Sequence, residues 1–412
     1  MIAAALAFAV TTLGERPVMV TAAGNAPHGV NIRTLPMKHA PIEDGLRHGA
    51  RLLLQGSCDF GASGQWCSVR VANGNVRFAS AEFLRPVSDT EVDFKVRLLD
   101  VGSGQAAVIT SGRSTVLIDG GADPVKLWRY LRTKAVHMPI GLIVITTPSA
   151  NHWCGLNKVI SRAAVYHVWA PSCPDQIQQC GAWRDASNLR AMLTGLRRRG
   201  ASTVCLVPGN CSWAKLDSAH LMVERIYLPA IPEIGITFLR PTYEDLLSTK
   251  ANLQVPCSYA IGMHSLVLRV DVGGARFLFT GDIVGKEEDE YGGLRSRYNE
   301  ADLVSECAKR DAKLKIKPPL LKSDVLIVPH HGDDTSSTTA FINAVNPTFA
   351  LISTDERLRP TRESVLQRYK DAHAQVLTTS ATPHPWNDNI VCRRNEDGKV
   401  ACSYEDAIPP GE

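Results

Sequence analysis

The run Gly141-Leu142-Ile143-Val144-Ile145-Thr146 passes directly into Thr147-Pro148-Ser149-Ala150-Asn151-His152. The first half is almost unbroken apolar sequence, as expected of a strand covered on both faces in a layered α/β sheet. The second half is a polar loop that ends in an imidazole. Three further segments repeat the pattern: Leu98-Leu99-Asp100-Val101-Gly102-Ser103-Gly104-Gln105, Phe277-Leu278-Phe279-Thr280-Gly281-Asp282 and Ile327-Val328-Pro329-His330-His331-Gly332. Strand ends are where a layered α/β fold exposes side chains to a shared cleft. A histidine, an aspartate and a His-His pair delivered in that way are ligand types for a divalent cation.

The elements around these segments read as alternating strands and helices. Strands are expected at Val96–Asp100, Ala106–Thr110 and Ser114–Asp119, then a helix at Pro124–Thr133. Ser187–Arg199 reads as an amphipathic helix, with Leu189, Met192, Leu193 and Leu196 on one stripe and Gly200 as its stop. That stripe is core packing. Later strands are expected at Ser265–Val270, Arg276–Thr280, Asp324–Val328 and Phe349–Ser353, and a helix at Glu363–His373.

Upstream the pattern differs. Between Val18 and Val87 lie short strand signals: Val30-Asn31-Ile32-Arg33, Arg51–Leu54, Trp66–Val71 and Val76–Phe78, with a tight-turn signal at Asn73-Gly74. They predict a small all-β barrel. Pro86–Thr90 reads as its linker to the larger unit.

The 412 residues carry 44% hydrophobic and 21% charged side chains, ordinary values for a globular chain with room for two or three domains. A net charge of +4 makes no electrostatic case for nucleic acid. The basic runs Arg197-Arg198-Arg199 and Lys313–Lys317 read as solvated faces. No stretch approaches the roughly 20 apolar residues of a membrane span. Ile2–Val10 is a short apolar run, readable as a signal-peptide core or as a first strand. Of the 11 cysteines, eight fall in close pairs: Cys58/Cys67, Cys173/Cys180, Cys205/Cys211 and Cys392/Cys402. Cys392 and Cys402 lie symmetrically about the turn signal Asn395–Gly398, so a hairpin sets them face to face. Paired cysteines point to an oxidising, periplasmic or secreted setting; buried thiols in a cytoplasmic protein are the alternative. Cys154, Cys257 and Cys307 have no local partner.

Two resemblances sharpen this. Val30–Pro36 resembles the N-V-R-x-x-P entry of bacterial SH3-like domains, and Trp66–Val71, Asn73-Gly74 and Ser80–Leu84 sit where that family's later strands sit. The resemblance implies binding of cell-wall peptide or another extracellular ligand. From about Phe94 to Tyr404 the chain resembles the metallo-β-lactamase-fold domain of the competence-protein (ComEC-like) group. The resemblance rests on Leu99–Gly104 (L-D-V-G-x-G), Leu117–Gly121 (L-I-D-G-G), the loop at Thr146–His152, Ser265–Val270, Phe279–Asp282 (F-T-G-D) and Val328–Gly332 (V-P-H-H-G). It implies a four-layer αββα sandwich whose cleft holds one or two zinc or manganese ions for phosphodiester hydrolysis.

The departures matter as much. The group's loop is T-H-P-H-A-D-H. Here Thr147 and Ser149 replace the two histidines of the first metal position, Asn151 replaces an aspartate of the second, and Gln105 stands for another aspartate. Hydroxyls and amides are poor zinc ligands beside imidazole and carboxylate, so the first position is lost. His152, Asp282 and His331 remain for the second, with His264 as a further nitrogen. Asp119 and His330 are additional cleft candidates, Asp119 as a carboxylate behind a ligand. The expected organisation is a leader at 1–17, an SH3-like domain at 18–87 and the α/β sandwich at 94–404. The loss of these ligands from one short loop favours a catalytically weak or inactive binding protein; a single-metal phosphodiesterase or nuclease is the alternative.

Overall fold

A computed structural model describes residues 9–10, 19–22, 29–47, 49–71, 74–102, 104–134, 136, 138–171, 183–205, 225–240, 265–285, 300–355, 361–379 and 388–405. Two eight-stranded sheets face each other. The first runs Ser202–Cys205, Val165–Ala170, Ile140–Val144, Ser114–Asp119, Ala106–Ser111, Lys95–Leu98, Ile390–Arg394, Val400–Tyr404. The second runs Ala9–Val10, Ile226–Leu228, Ile231–Arg240, Val267–Val272, Ala275–Phe279, Val325–Ile327, Phe349–Ile352, Gln375–Thr378.

Each sheet is parallel in one half and antiparallel in the other. Ile140–Val144 pairs in parallel with both of its neighbours, and all five of its residues are buried, which accounts for its unbroken apolar sequence. Val325–Ile327 is the counterpart in the second sheet, parallel to Ala275–Phe279 and Phe349–Ile352.

Three apolar layers follow from this. Leu142, Val144 and Trp169 of one sheet meet Phe238, Phe277 and Phe279 of the other between the sheets. Outside the first sheet, helices Pro124–Thr133, Leu156–Ile160 and Trp183–Arg198 pack through Leu127, Leu131, Val159, Leu193 and Leu196. Outside the second, helices Glu300–Leu314, Thr339–Val345 and Glu363–Asp371 pack through Leu303, Phe341, Ile342 and Val365. The four-layer αββα sandwich expected from the resemblance is thus the architecture of the larger unit.

The N-terminal unit is a seven-stranded antiparallel sheet around its own core of Val30, Ile32, Leu52, Leu54 and Val69. Val30–Arg33 and Arg51–Leu54 form as expected, whereas Ile42–Leu46 is an exposed edge strand that the apolar pattern did not announce. The anticipated linker also carries structure: Leu84–Pro86 is a strand, and Asp89–Glu91 is a 3₁₀ turn closed by a Ser88–Glu91 capping box. Leu53 belongs to the inter-sheet core of the sandwich, and an Arg51 guanidinium N–H donates to the Glu91 carbonyl at 2.7 Å.

Of the leader, only Ala9–Val10 is described, as a strand pairing with Ile226 and Tyr227. Cys58–Cys67 and Cys392–Cys402 form disulfides, the second across the paired strands where Cys392 and Cys402 are direct partners. The pairs Cys173/Cys180 and Cys205/Cys211, and Cys257, His264 and His384, lie wholly or partly outside the described residues. Among the described residues, no helix is long and apolar enough to cross a membrane.

Candidate metal centre

Asp119 closes the strand Ser114–Asp119 with a left-handed φ of 61°, and its register opposite Ala106 sets Gln105 beside it. The carboxylate is wholly buried. It accepts the Thr146 N–H at 2.7 Å, the Thr146 hydroxyl at 2.6 Å and the Gln105 amide at 3.1 Å. It also accepts His152 Nδ1–H at 2.8 Å. Asp119 therefore stands behind His152, not in the open cleft.

His152 lies on the short helix Ala150–Trp153, which continues the Thr146–Ser149 loop. The Trp153 indole N–H anchors the loop on the Pro148 carbonyl at 3.0 Å, and Gly120 N–H donates to the His152 carbonyl at 2.5 Å. The loop also crosses the Gly104 backbone so closely that a Cβ at Gly104 would fall 1.8 Å from the Asn151 carbonyl oxygen. Only glycine fits there.

With Nδ1–H committed to Asp119, His152 presents Nε2 toward Asp282, 3.1 Å from Oδ1. His331 arrives from the other sheet with the same logic. Its Nδ1–H donates to the Ser353 carbonyl at 2.7 Å, and its Nε2 lies 3.6 Å from Asp282 Oδ1. One ligand atom from each of His152, Asp282 and His331 falls within 4.8 Å of the others. The three residues come from different strand ends, and the sheet pairing brings them together.

The chemistry of this set fits a divalent ion. His152 Nε2 and Asp282 Oδ1 are both buried, and neither has an aligned hydrogen-bond partner although they are close enough for an ion pair. Unpaired buried polar atoms are costly, and a shared cation satisfies both at once. The other nitrogen of each imidazole is held by a carboxylate or a carbonyl, the arrangement that fixes metal-ligating histidines.

Charge follows from the same geometry. Burial opposes a charge on His152, but Asp282 and Asp119 outweigh it and push the imidazole up to about 10. Burial also works against Asp282, yet His152 and then the two neighbouring histidines hold its carboxyl well below the usual range. For His331, burial dominates the pull of Asp282 and brings the imidazole down to about 4. Without metal, a proton on His152 neutralises the pair; metal and proton compete for one lone pair.

The remaining candidates are placed differently. Thr147 is buried with an unpartnered hydroxyl, and Ser149 is the N-cap residue of the short helix without a side-chain cap bond. Asn151 Nδ2 lies 3.4 Å from His331 Nε2. His330 is half-buried with φ 50°; its Nδ1–H donates to the Thr335 hydroxyl at 2.9 Å, which donates on to Asp333 at 2.8 Å. Cys154 packs against the helix-layer core.

Helix Thr339–Val345 is capped by Thr338, whose hydroxyl accepts the Phe341 N–H. The wholly buried Glu300 accepts the N–H groups of Ser337 at 2.5 Å and Thr338 at 2.7 Å. Sequence reasoning missed Glu300, which sits in no motif, and the Ser353 carbonyl, a backbone group without a sequence signature. Ser353 follows the strand parallel to that of His331, so strand pairing is the signal that points to it.

No family model matches the chain. A stretch of 122 residues is 36% identical to the competence protein ComA of Neisseria gonorrhoeae, covering 28% of this chain and 14% of that relative's length. Among solved structures, the metallo-β-lactamase fold protein YhfI of Bacillus subtilis is 10% identical with a TM-score of 0.38, over 76% of this chain and 100% of that one. The short form of human tRNase Z is 13% identical with a TM-score of 0.33, over 62% and 91%. CmlA, a diiron β-hydroxylase from Streptomyces venezuelae, is 13% identical with a TM-score of 0.36, over 73% and 55%.

Proposed function

We propose that this chain is a metallo-β-lactamase-fold protein that binds one divalent ion at His152, Asp282 and His331 and hydrolyses phosphodiesters at that single site. The observation that carries the reading is the convergence of the three ligand atoms within 4.8 Å, with both imidazole Nδ1–H groups already tied down. Three protein ligands with a further position open is the composition of a catalytic zinc site. Bound zinc or manganese supplies Lewis-acid polarisation of a phosphoryl oxygen. Asp119 and the Ser353 carbonyl orient the two imidazoles. The Thr335–Asp333 pair holds the His330 proton on Nδ1 and fixes the ring beside the site.

A second reading, a binding protein with little or no catalysis, is favoured by Thr147, Ser149 and Asn151, which remove one metal position of the loop. In either reading the N-terminal antiparallel unit supplies binding, with an extracellular or cell-wall peptide as the ligand class. The Cys58–Cys67 and Cys392–Cys402 disulfides support an oxidising compartment.

Elemental analysis of the purified protein, paired with a chelator-controlled assay on bis(p-nitrophenyl) phosphate, tests this. One equivalent of zinc or manganese, lost in His152→Ala together with turnover, is the expected result. Metal without turnover selects the binding protein. No metal after incubation with both ions overturns the site itself.

A further inference from the structure

The outer helix layer carries a second surface with its own chemistry. Helix Pro124–Thr133 buries Leu127, Tyr130 and Leu131, packs Trp128 partly against the helix-layer core, and carries Val125, Arg129, Arg132 and Thr133 on the more exposed side. With Trp128, and with Lys158 from the helix Leu156–Ile160, these exposed-side residues line a recess of about 390 Å³. Arg162 adds a fourth cation, its guanidinium 5.8 Å from the Trp128 ring centre.

The charge here is local. The chain as a whole is nearly balanced, with 45 basic against 41 acidic residues. Two nearby lysines point elsewhere and meet carboxylates: Lys126 of this helix lies 3.8 Å from Asp100, and Lys134, just past its end, lies 3.8 Å from Glu405. The described lining of the recess contains no carboxylate. Trp128 is half-buried beside these cations, packed partly on the helix-layer core and in contact with Arg162.

We infer that this recess binds a nucleotide, its phosphates on Arg129, Arg132 and Lys158 and its base against Trp128 and Arg162. Arginine and lysine supply donors for phosphate oxygens, arginine in a planar fork. Aromatic and guanidinium planes are the surfaces on which bases stack. The volume is that of a small-molecule site. A free nucleotide and the unpaired end of a nucleic-acid strand present the same chemistry. The recess lies on the helix layer and shares no residue with the metal centre, so it stands independently of the proposed hydrolase.

The test is a titration of the full-length protein, in excess chelator, with ADP, with a short oligo-dT strand and with inorganic pyrophosphate. Chelation removes the metal centre as a competing site. The expected result is saturable binding of ADP, the oligonucleotide or both, with pyrophosphate weaker. Affinity should fall about tenfold or more in Arg129→Ala/Arg132→Ala and in Trp128→Leu, and Trp128→Phe should recover most of the second loss. Preference for ADP over the strand identifies a free nucleotide as the source; the reverse identifies a nucleic-acid end. Absence of binding by both ADP and the oligonucleotide overturns the proposal. So does affinity indifferent to both variants, or pyrophosphate binding as tightly as ADP. Circular dichroism of each variant shows that the helix layer is intact.

Discussion

Three site residues, Asp119, His330 and His331, hold left-handed φ angles of 61°, 50° and 58°. Non-glycine residues there cost of order 1 kcal/mol or more each, and such strain clusters at functional sites. At Asp119 the backbone twist aims the carboxylate at both Thr146 and His152. Both Asp119 oxygens accept hydrogen bonds, and Asp119→Asn sets an NH2 against either the Thr146 N–H or the His152 Nδ1–H, so zinc affinity measured by competition with a chromophoric chelator should fall about 10- to 100-fold. The pH dependence has a definite sign. His152 titrates above its ordinary value in the fold, so its contribution is complete below about pH 6.5 and is lost as pH rises toward about 10. Thermal melts of the metal-free protein from pH 7 to 10 should show declining stability, and saturating zinc should flatten that decline. Equal slopes with and without zinc would count against the shared lone pair.

At the scale of elements, the loop after the His-His pair depends on a remote helix. Glu300 enters from Glu300–Leu314 and accepts two backbone N–H groups at Ser337 and Thr338. Arg368 of Glu363–Asp371 donates to the Ser336 and Ser337 carbonyls, and the Tyr369 hydroxyl donates to Ser337 Oγ. Burial pushes the Glu300 carboxyl up to about 7 despite its N–H donors. Glu300→Ala leaves two buried donors unmatched, and urea unfolding should show a loss of about 2–4 kcal/mol. The hairpin Ile390–Arg394/Val400–Tyr404 is the opposite case, a local device legible in sequence because its cysteines flank one turn. Reducing Cys392–Cys402 should cost about 2–3 kcal/mol for a loop of this size, read as a lowered melting temperature.

At the scale of the molecule, the two units share a core. Leu53 is fully buried in the inter-sheet cluster of the sandwich although its strand belongs to the N-terminal sheet. Leu53→Ala should therefore cost about 2–5 kcal/mol and lower one cooperative calorimetric transition. Two well-separated transitions in the parent protein would show that the cores are independent. The boundary at Pro86–Thr90 is read from local sequence, where the strand pattern gives way to alternating strands and helices. The contact at Leu53 is long-range and leaves no mark on that pattern.

The sequence by itself determined the alternation of elements, the unbroken apolar strand Ile140–Val144, the cysteine hairpin and the residues at each strand end. Those follow from side-chain periodicity and turn chemistry, which act over a few residues. Only the tertiary structure decided that His152, Asp282 and His331 meet, because the pairing of strands distant in the chain sets their separation. Only the fold showed that Asp119 and the Ser353 carbonyl hold the two imidazoles. Orientation is a matter of hydrogen-bond geometry in a buried cleft, and residue identity alone does not carry it.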